Sequence, residues 1–122
     1  IPVALYARLI KLPSDDLTVI GISPHMHMLG TSIVTELDGK QILLDVPRWD
    51  FHWQYSYRFK DALNVRGTDT LKLTCTYDNT YANQPVINGE KQMPRDVSWG
   101  EGTLDEMCLS FLAIRVPRVP PT

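Results

Sequence analysis

Residues 31–46 read TSIVTELDGKQILLDV, and this stretch decides the fold class. Two apolar runs rich in β-branched residues, 31–37 and 41–46, flank Asp38-Gly39. An Asp-Gly pair between such runs predicts a tight β-hairpin, because both central turn positions want positive φ. The same composition extends outward. Upstream, residues 3–12 (VALYARLIKL) and 17–28 (LTVIGISPHMHM) have strand character, with a turn over 13–16 between them. Downstream, residues 49–59 alternate strictly. Trp49, Phe51, Trp53, Tyr55, Tyr57 and Phe59 are interleaved with Asp50, His52, Gln54, Ser56 and Arg58. That period of two predicts a strand with an aromatic wall on one face. A turn at Arg66-Gly67-Thr68-Asp69 leads into a further alternating run over 70–77. Residues 78 to about 102 are rich in Asn, Pro and Gly and read as a long irregular segment, a kind that is usually functional or mobile. The last strand is expected over roughly 106–116. No amphipathic helix and no repeat is evident. Seven or eight short strands predict an all-β fold, an antiparallel jelly-roll or Greek-key β-sandwich of about eight strands.

The 122 residues suit one domain, expected over 1–116, with a Pro-rich tail over 117–122 that cannot continue a sheet. The chain opens at Ile1 without a methionine, a basic n-region or an apolar h-region, and is therefore expected to be a mature product or a domain cut from something longer. Hydrophobic residues at 43% and charged residues at 21% lie in the globular range and exclude a disordered tail. The net charge, 12 − 14 = −2, gives no electrostatic reason to expect nucleic acid or an anionic membrane as partner. No apolar run reaches membrane-spanning length.

Two segments carry chemistry. In Pro24-His25-Met26-His27-Met28-Leu29-Gly30 the histidines sit at i and i+2, which on a strand puts both imidazoles on one face, ready to hold a metal such as copper, zinc, iron or nickel. The plain alternative is a polar strand end with two solvent-facing histidines. Met26 and Met28 alternate with them and read as core residues. In Thr103-Leu104-Asp105-Glu106-Met107-Cys108, strand alternation would send Met107 and Cys108 to opposite faces. Met107 by itself reads as a core methionine filling a gap. Asp105 and Glu106 acquire no role from the sequence. Cys75 and Cys108 allow one disulfide or two free thiols, and their number does not choose. His52, on the polar face beside Asp50 and Gln54, reads first as a surface or hydrogen-bonded histidine. Its sharper reading is a third imidazole, or a group supporting metal ligands. Trp49, Trp53 and Trp99 read as core or rim residues.

HMHMLG at 25–30, CTY at 75–77 and TLDEMC at 103–108, in that order, resemble the C-terminal domain of the type II copper, ascorbate-dependent monooxygenases. That family includes the peptidylglycine α-hydroxylating enzymes and dopamine β-hydroxylase. The resemblance runs from about residue 17 to 116, and PRWDFHWQ at 47–54 and YDNTYANQP at 77–85 look closer to bacterial members of the wider family than to the animal hydroxylases. It implies a jelly-roll sandwich, His25, His27 and Met107 as ligands of one catalytic copper, and a disulfide between Cys75 and Cys108. It also implies O2 and a small organic substrate as reaction partners, C–H hydroxylation cycling Cu(I) and Cu(II), and ascorbate as external reductant. Two imidazoles and one thioether suit Cu(I) and leave a coordination position open.

The sequence also departs from the family. Family enzymes carry a preceding domain with a second copper held by three histidines, and this chain has only His52 beyond the pair, so that partner domain would lie in a longer parent. Ser23, Leu109 and Phe111 stand where peptide-hydroxylating members hold their substrate, which argues against a peptidylglycine. The leading expectation is therefore a copper monooxygenase domain. The runner-up is a copper module for storage, delivery or electron transfer, and the third is a metal-free structural sandwich. A disulfide beside a redox copper points to a secreted or periplasmic location.

Overall fold

A computed structural model describes residues 16–116. The strand expected over 3–12, most of the turn over 13–16 and the tail over 117–122 lie outside the described residues. Eight strands are present among them: β1 (Leu17–His25), β2 (Gly30–Leu37), β3 (Gln41–Val46), β4 (Tyr57–Val65), β5 (Leu71–Tyr77), the two-residue β6 (Val86–Ile87) and β7 (Glu90–Lys91), and β8 (Leu109–Arg115). One turn of 3₁₀-helix covers Tyr81–Asn83.

The strands form two three-stranded antiparallel sheets, ordered β4-β1-β8 and β3-β2-β5, plus the small β6-β7 hairpin. Their inner faces meet in one core. Leu17, Val19 and Val65 of the first sheet bury against Leu37 of the second, ringed by Phe59, Leu63, Leu112 and Ile114 from one side and Leu43 and Leu71 from the other. Polar ties cross the same gap, with the Thr35 and Ser110 hydroxyls 2.9 Å apart. The all-β antiparallel sandwich is thus the observed fold, held by apolar area removed from water on both faces.

The Asp38-Gly39 turn takes the backbone that its sequence demands, with φ of 53° and 63°. The same chemistry recurs at Asn88-Gly89, φ 51° and 81°, where it closes β6 onto β7 inside the segment read as irregular. Four strand boundaries differ from the sequence reading by three residues or more. β1 ends at His25 and does not run on to Met28. β8 starts at Leu109, leaving Met107 and Cys108 outside the strand, so alternation cannot assign their faces. β4 begins only at Tyr57 and runs past Phe59 to Val65. Residues 49–56 instead fold into a turn and loop, because Asp50 offers the backbone better local partners than a neighbouring strand does. Its carbonyl accepts from Trp53 N–H (3.0 Å) and its carboxylate from His52 N–H (2.9 Å). No aromatic wall forms: Trp53 is 75% and Tyr55 58% exposed.

One irregularity aims the site. Between Val19 and Gly21, β1 carries one more residue than β8, as Val19 faces Ile114 and Gly21 faces Ala113. Burial therefore switches phase along β1. Leu17 and Val19 are buried, and after the bulge Ile22 and Pro24 are buried while Ser23 and His25 turn outward. Without the extra residue His25 would follow Leu17 and Val19 into the core. Gly21 sits at the bulge because a Cβ there would lie 2.6 Å from the Tyr57 carbonyl oxygen.

Candidate metal centre

His25 closes β1 and pairs with Leu109 of β8, and His27 lies just beyond the strand. Their rings remain neighbours, with centroids 5.0 Å apart and planes at 82°. His25 is half-buried and His27 is buried. His27 Nδ1 is 2.9 Å from the Asp105 carbonyl oxygen. A carbonyl only accepts, so Nδ1–H donates and Nε2 keeps its lone pair for a metal. His25 Nδ1 is 2.7 Å from Gln54 Oε1. Trp49 Nε1–H donates to the His27 carbonyl at 3.1 Å, and the Phe51 ring packs edge-on to the His27 ring at 5.9 Å.

Glu106 ties this pair to the segment leading into β8. Its Oε2 accepts from His27 N–H (2.9 Å) and from Met107 N–H (3.3 Å), and its Oε1 accepts from Leu29 N–H (2.7 Å). The backbone nitrogens of His27 and Met107 therefore share one carboxylate oxygen. The half-buried Met107 is fixed from its other side as well, since its carbonyl accepts from the Tyr77 hydroxyl at 2.7 Å. Burial pushes the Tyr77 phenol above its ordinary range, and the nearby Glu106 charge pushes it the same way. Cys75 of β5 and Cys108 are joined in a disulfide, Cα atoms 5.9 Å apart, which clamps the Met107 segment to the second sheet. No free cysteine remains among the described residues, so a thiolate ligand has no source there.

Asp105 and Glu106 thus do the positioning that sequence reading left unassigned. The Asp105 carboxylate accepts from Gly102 N–H (3.1 Å), shaping the loop, while its carbonyl holds His27. A charged residue beside a metal-ligand candidate was the available signal, but its partners lie 77 to 79 residues away, which no local pattern reveals. Trp49 is half-buried, as a rim residue would be, and its indole N–H also tethers His27. Met26 is fully buried, as expected, and fills the space above Gly30. His52 is exposed and stacks edge-on against Phe51 at 5.5 Å. Among the described residues no three His, Cys, Asp or Glu side chains gather into a metal-holding group. The donor chemistry nevertheless fits copper. Two adjacent imidazoles, at least one with its Nε2 free, lie beside a segment whose next side chain is a thioether, and imidazole with thioether is a copper set rather than one for hard cations.

Residues 6–117 match the family described as "Copper type II ascorbate-dependent monooxygenase, C-terminal domain". Among curated proteins, the chain is 28% identical over 107 residues to tyramine beta-hydroxylase of Caenorhabditis briggsae, a match that covers 84% of this chain and 16% of that protein. It is 26% identical over 107 residues to dopamine beta-hydroxylase of Canis lupus familiaris, covering 83% of this chain and 15% of that protein. The matched region is thus a small part of each of these relatives.

Proposed function

The chain belongs to the C-terminal domain family of the copper type II ascorbate-dependent monooxygenases, and from that membership we propose that it holds one copper ion through His25, His27 and Met107. Copper held there would supply O2 activation for hydroxylating a C–H bond of a small organic substrate, with an ascorbate-type reductant. The observation that carries this reading is the shared Glu106 carboxylate, which joins the buried His27 backbone to that of Met107.

The protein's own part is geometric. The β1 bulge turns His25 out of the core, the Asp105 carbonyl selects the Nδ1–H tautomer of the neutral His27 ring, and Trp49 fixes the His27 backbone. Two imidazoles and one thioether would hold the ion with three protein donors, the number found in catalytic rather than structural sites. The Met107 sulfur is the third donor of this reading, and its backbone is tied to that of His27 through Glu106. The disulfide favours an oxidising compartment, secreted or periplasmic. The partner that delivers the second electron would be a three-histidine copper domain of a longer parent, because three histidines in this chain do not suffice for both sites.

X-ray absorption of the Cu(I)-loaded protein tests the ligand set. A sulfur scatterer is expected in the wild type and should vanish in Met107→Ile. A wild-type spectrum of nitrogen and oxygen alone overturns the assignment. Turnover separates the two copper readings: peroxide without any hydroxylated product, even with an electron donor supplied, would favour storage, delivery or electron transfer.

A further inference from the structure

We propose that Gln54 is a positioning residue that holds the His25 ring with Nδ1 protonated and Nε2 open to the metal. The inference rests on the reading of His25 as a copper ligand, but its first consequence is visible without copper. Gln54 Nε2–H donates to the Phe51 carbonyl at 3.0 Å. That carbonyl only accepts, so the nitrogen end of the amide faces Phe51 and the oxygen end faces His25. Gln54 Oε1 lies 2.7 Å from His25 Nδ1 and also only accepts, so Nδ1 carries the proton. Nε2 is left with its lone pair, the same tautomer that the Asp105 carbonyl sets in His27.

The antiparallel register of β1 and β4, Ile22 against Tyr57, leads the chain before β4 past the end of β1 and so brings Gln54 to His25. Asp50 captures the N–H groups of His52 and Trp53 and bends the chain back after β3. A further tie anchors the loop's far end to β1, where Ser23 Oγ–H donates to Ser56 Oγ at 2.8 Å. Gln54 itself is exposed, while Trp53 and Tyr55 beside it are also turned to solvent. An exposed amide held by two directed bonds at a candidate ligand is spent on orientation rather than on packing. Although residues 49–56 form no strand, Gln54 stands where a continuation of the β1–β4 register, Ile22 against Tyr57, would set it opposite His25.

The test uses Gln54→Leu and Gln54→Glu in the otherwise intact chain. Long-range ¹H–¹⁵N spectra of the metal-free protein at mildly alkaline pH report each ring's tautomer, and three histidines give three resolvable patterns. His25 should be Nδ1–H in the wild type and in Gln54→Glu, whose carboxylate also accepts. In Gln54→Leu it should shift toward Nε2–H, with His27 unchanged as the internal control for folding. Cu(I) competition titration should then show affinity about 10–100-fold weaker in Gln54→Leu and restored in Gln54→Glu. A mixed His25 tautomer in the wild type, or a Gln54→Leu protein that keeps both tautomer and affinity, overturns the proposal. His25→Ala separates the two failures. If that variant binds Cu(I) as tightly as wild type, the ligand assignment is what falls, and the metal-free spectra still decide whether Gln54 sets the tautomer.

Discussion

Replacing Glu106 by Gln changes one atom and should loosen the whole site. The carboxylate only accepts, and here it accepts from three backbone N–H groups, those of His27, Met107 and Leu29. An amide of the same shape has one accepting oxygen and one donating nitrogen. Whichever way it turns, an NH2 faces a backbone N–H. The less damaging orientation keeps oxygen toward His27 and Met107 and abandons Leu29, whose residue is only 6% exposed. An unpaired donor at a buried residue costs about 1–3 kcal/mol. The surviving bonds lose their charge assistance, about half of their strength, or roughly another 1 kcal/mol. The total, about 2–4 kcal/mol, is a large share of the ~5–15 kcal/mol that stabilises a typical domain. Urea denaturation of metal-free wild type and Glu106→Gln measures it directly. A midpoint shift equivalent to less than about 0.5 kcal/mol, the range of an ordinary surface substitution, would refute the claim that this carboxylate ties His27 to the Met107 segment.

The same variant should bring the Tyr77 phenol part of the way back toward its ordinary range, because burial, the larger cause, persists when the Glu106 charge is gone; ultraviolet titration of the tyrosines reads this, and an unmoved Tyr77 argues against the charge effect. Replacing Cys75 and Cys108 together by Ser should cost about 3–4 kcal/mol on the chain-entropy account for a sequence separation of 33, seen as a lower denaturant midpoint, and a stability equal to wild type would contradict it. Asp69 is held below the usual carboxylate range chiefly by the Arg66 backbone N–H (2.7 Å), with its guanidinium helping at 3.1 Å. Its stabilisation is present above the ordinary Asp range and lost as pH falls through the lowered value, so Asp69→Asn should flatten the acid limb of stability against pH, and an unchanged limb would remove Asp69 from that account. Gly21→Ala puts a methyl against the Tyr57 carbonyl, a backbone atom with little freedom to retreat, and should destabilise by about 1–3 kcal/mol in thermal melts; a neutral result would mean that the bulge yields easily.

Much of the fold was legible because it rests on local chemistry. The Asp38-Gly39 hairpin follows from two residues that accept positive φ, and the run over residues 71–77 from plain alternation. Residues 49–59 show where such reading fails. Alternation there is as strict as in any strand of the chain, yet Asp50 captures the N–H groups of His52 and Trp53 with its side chain and carbonyl, and only Tyr57 onward finds a partner strand. The β1 bulge was equally hidden, since its sign is a register against β8 some ninety residues away in sequence.

Residue types and their short-range order by themselves determined that the chain is a β-sandwich, and HMHMLG with TLDEMC is the vocabulary that carries its resemblance to the copper monooxygenase C-terminal domains. Propensity, turn chemistry and ligand softness are properties of side chains and their near neighbours. Only the tertiary structure decided which atoms hold that vocabulary in place: Glu106 spanning three backbone amides, Asp105 and Gln54 each facing one imidazole, and an extra residue in β1 turning His25 outward. Hydrogen bonds between segments that folding brings together depend on direction and distance in space, and spacing along the chain encodes neither.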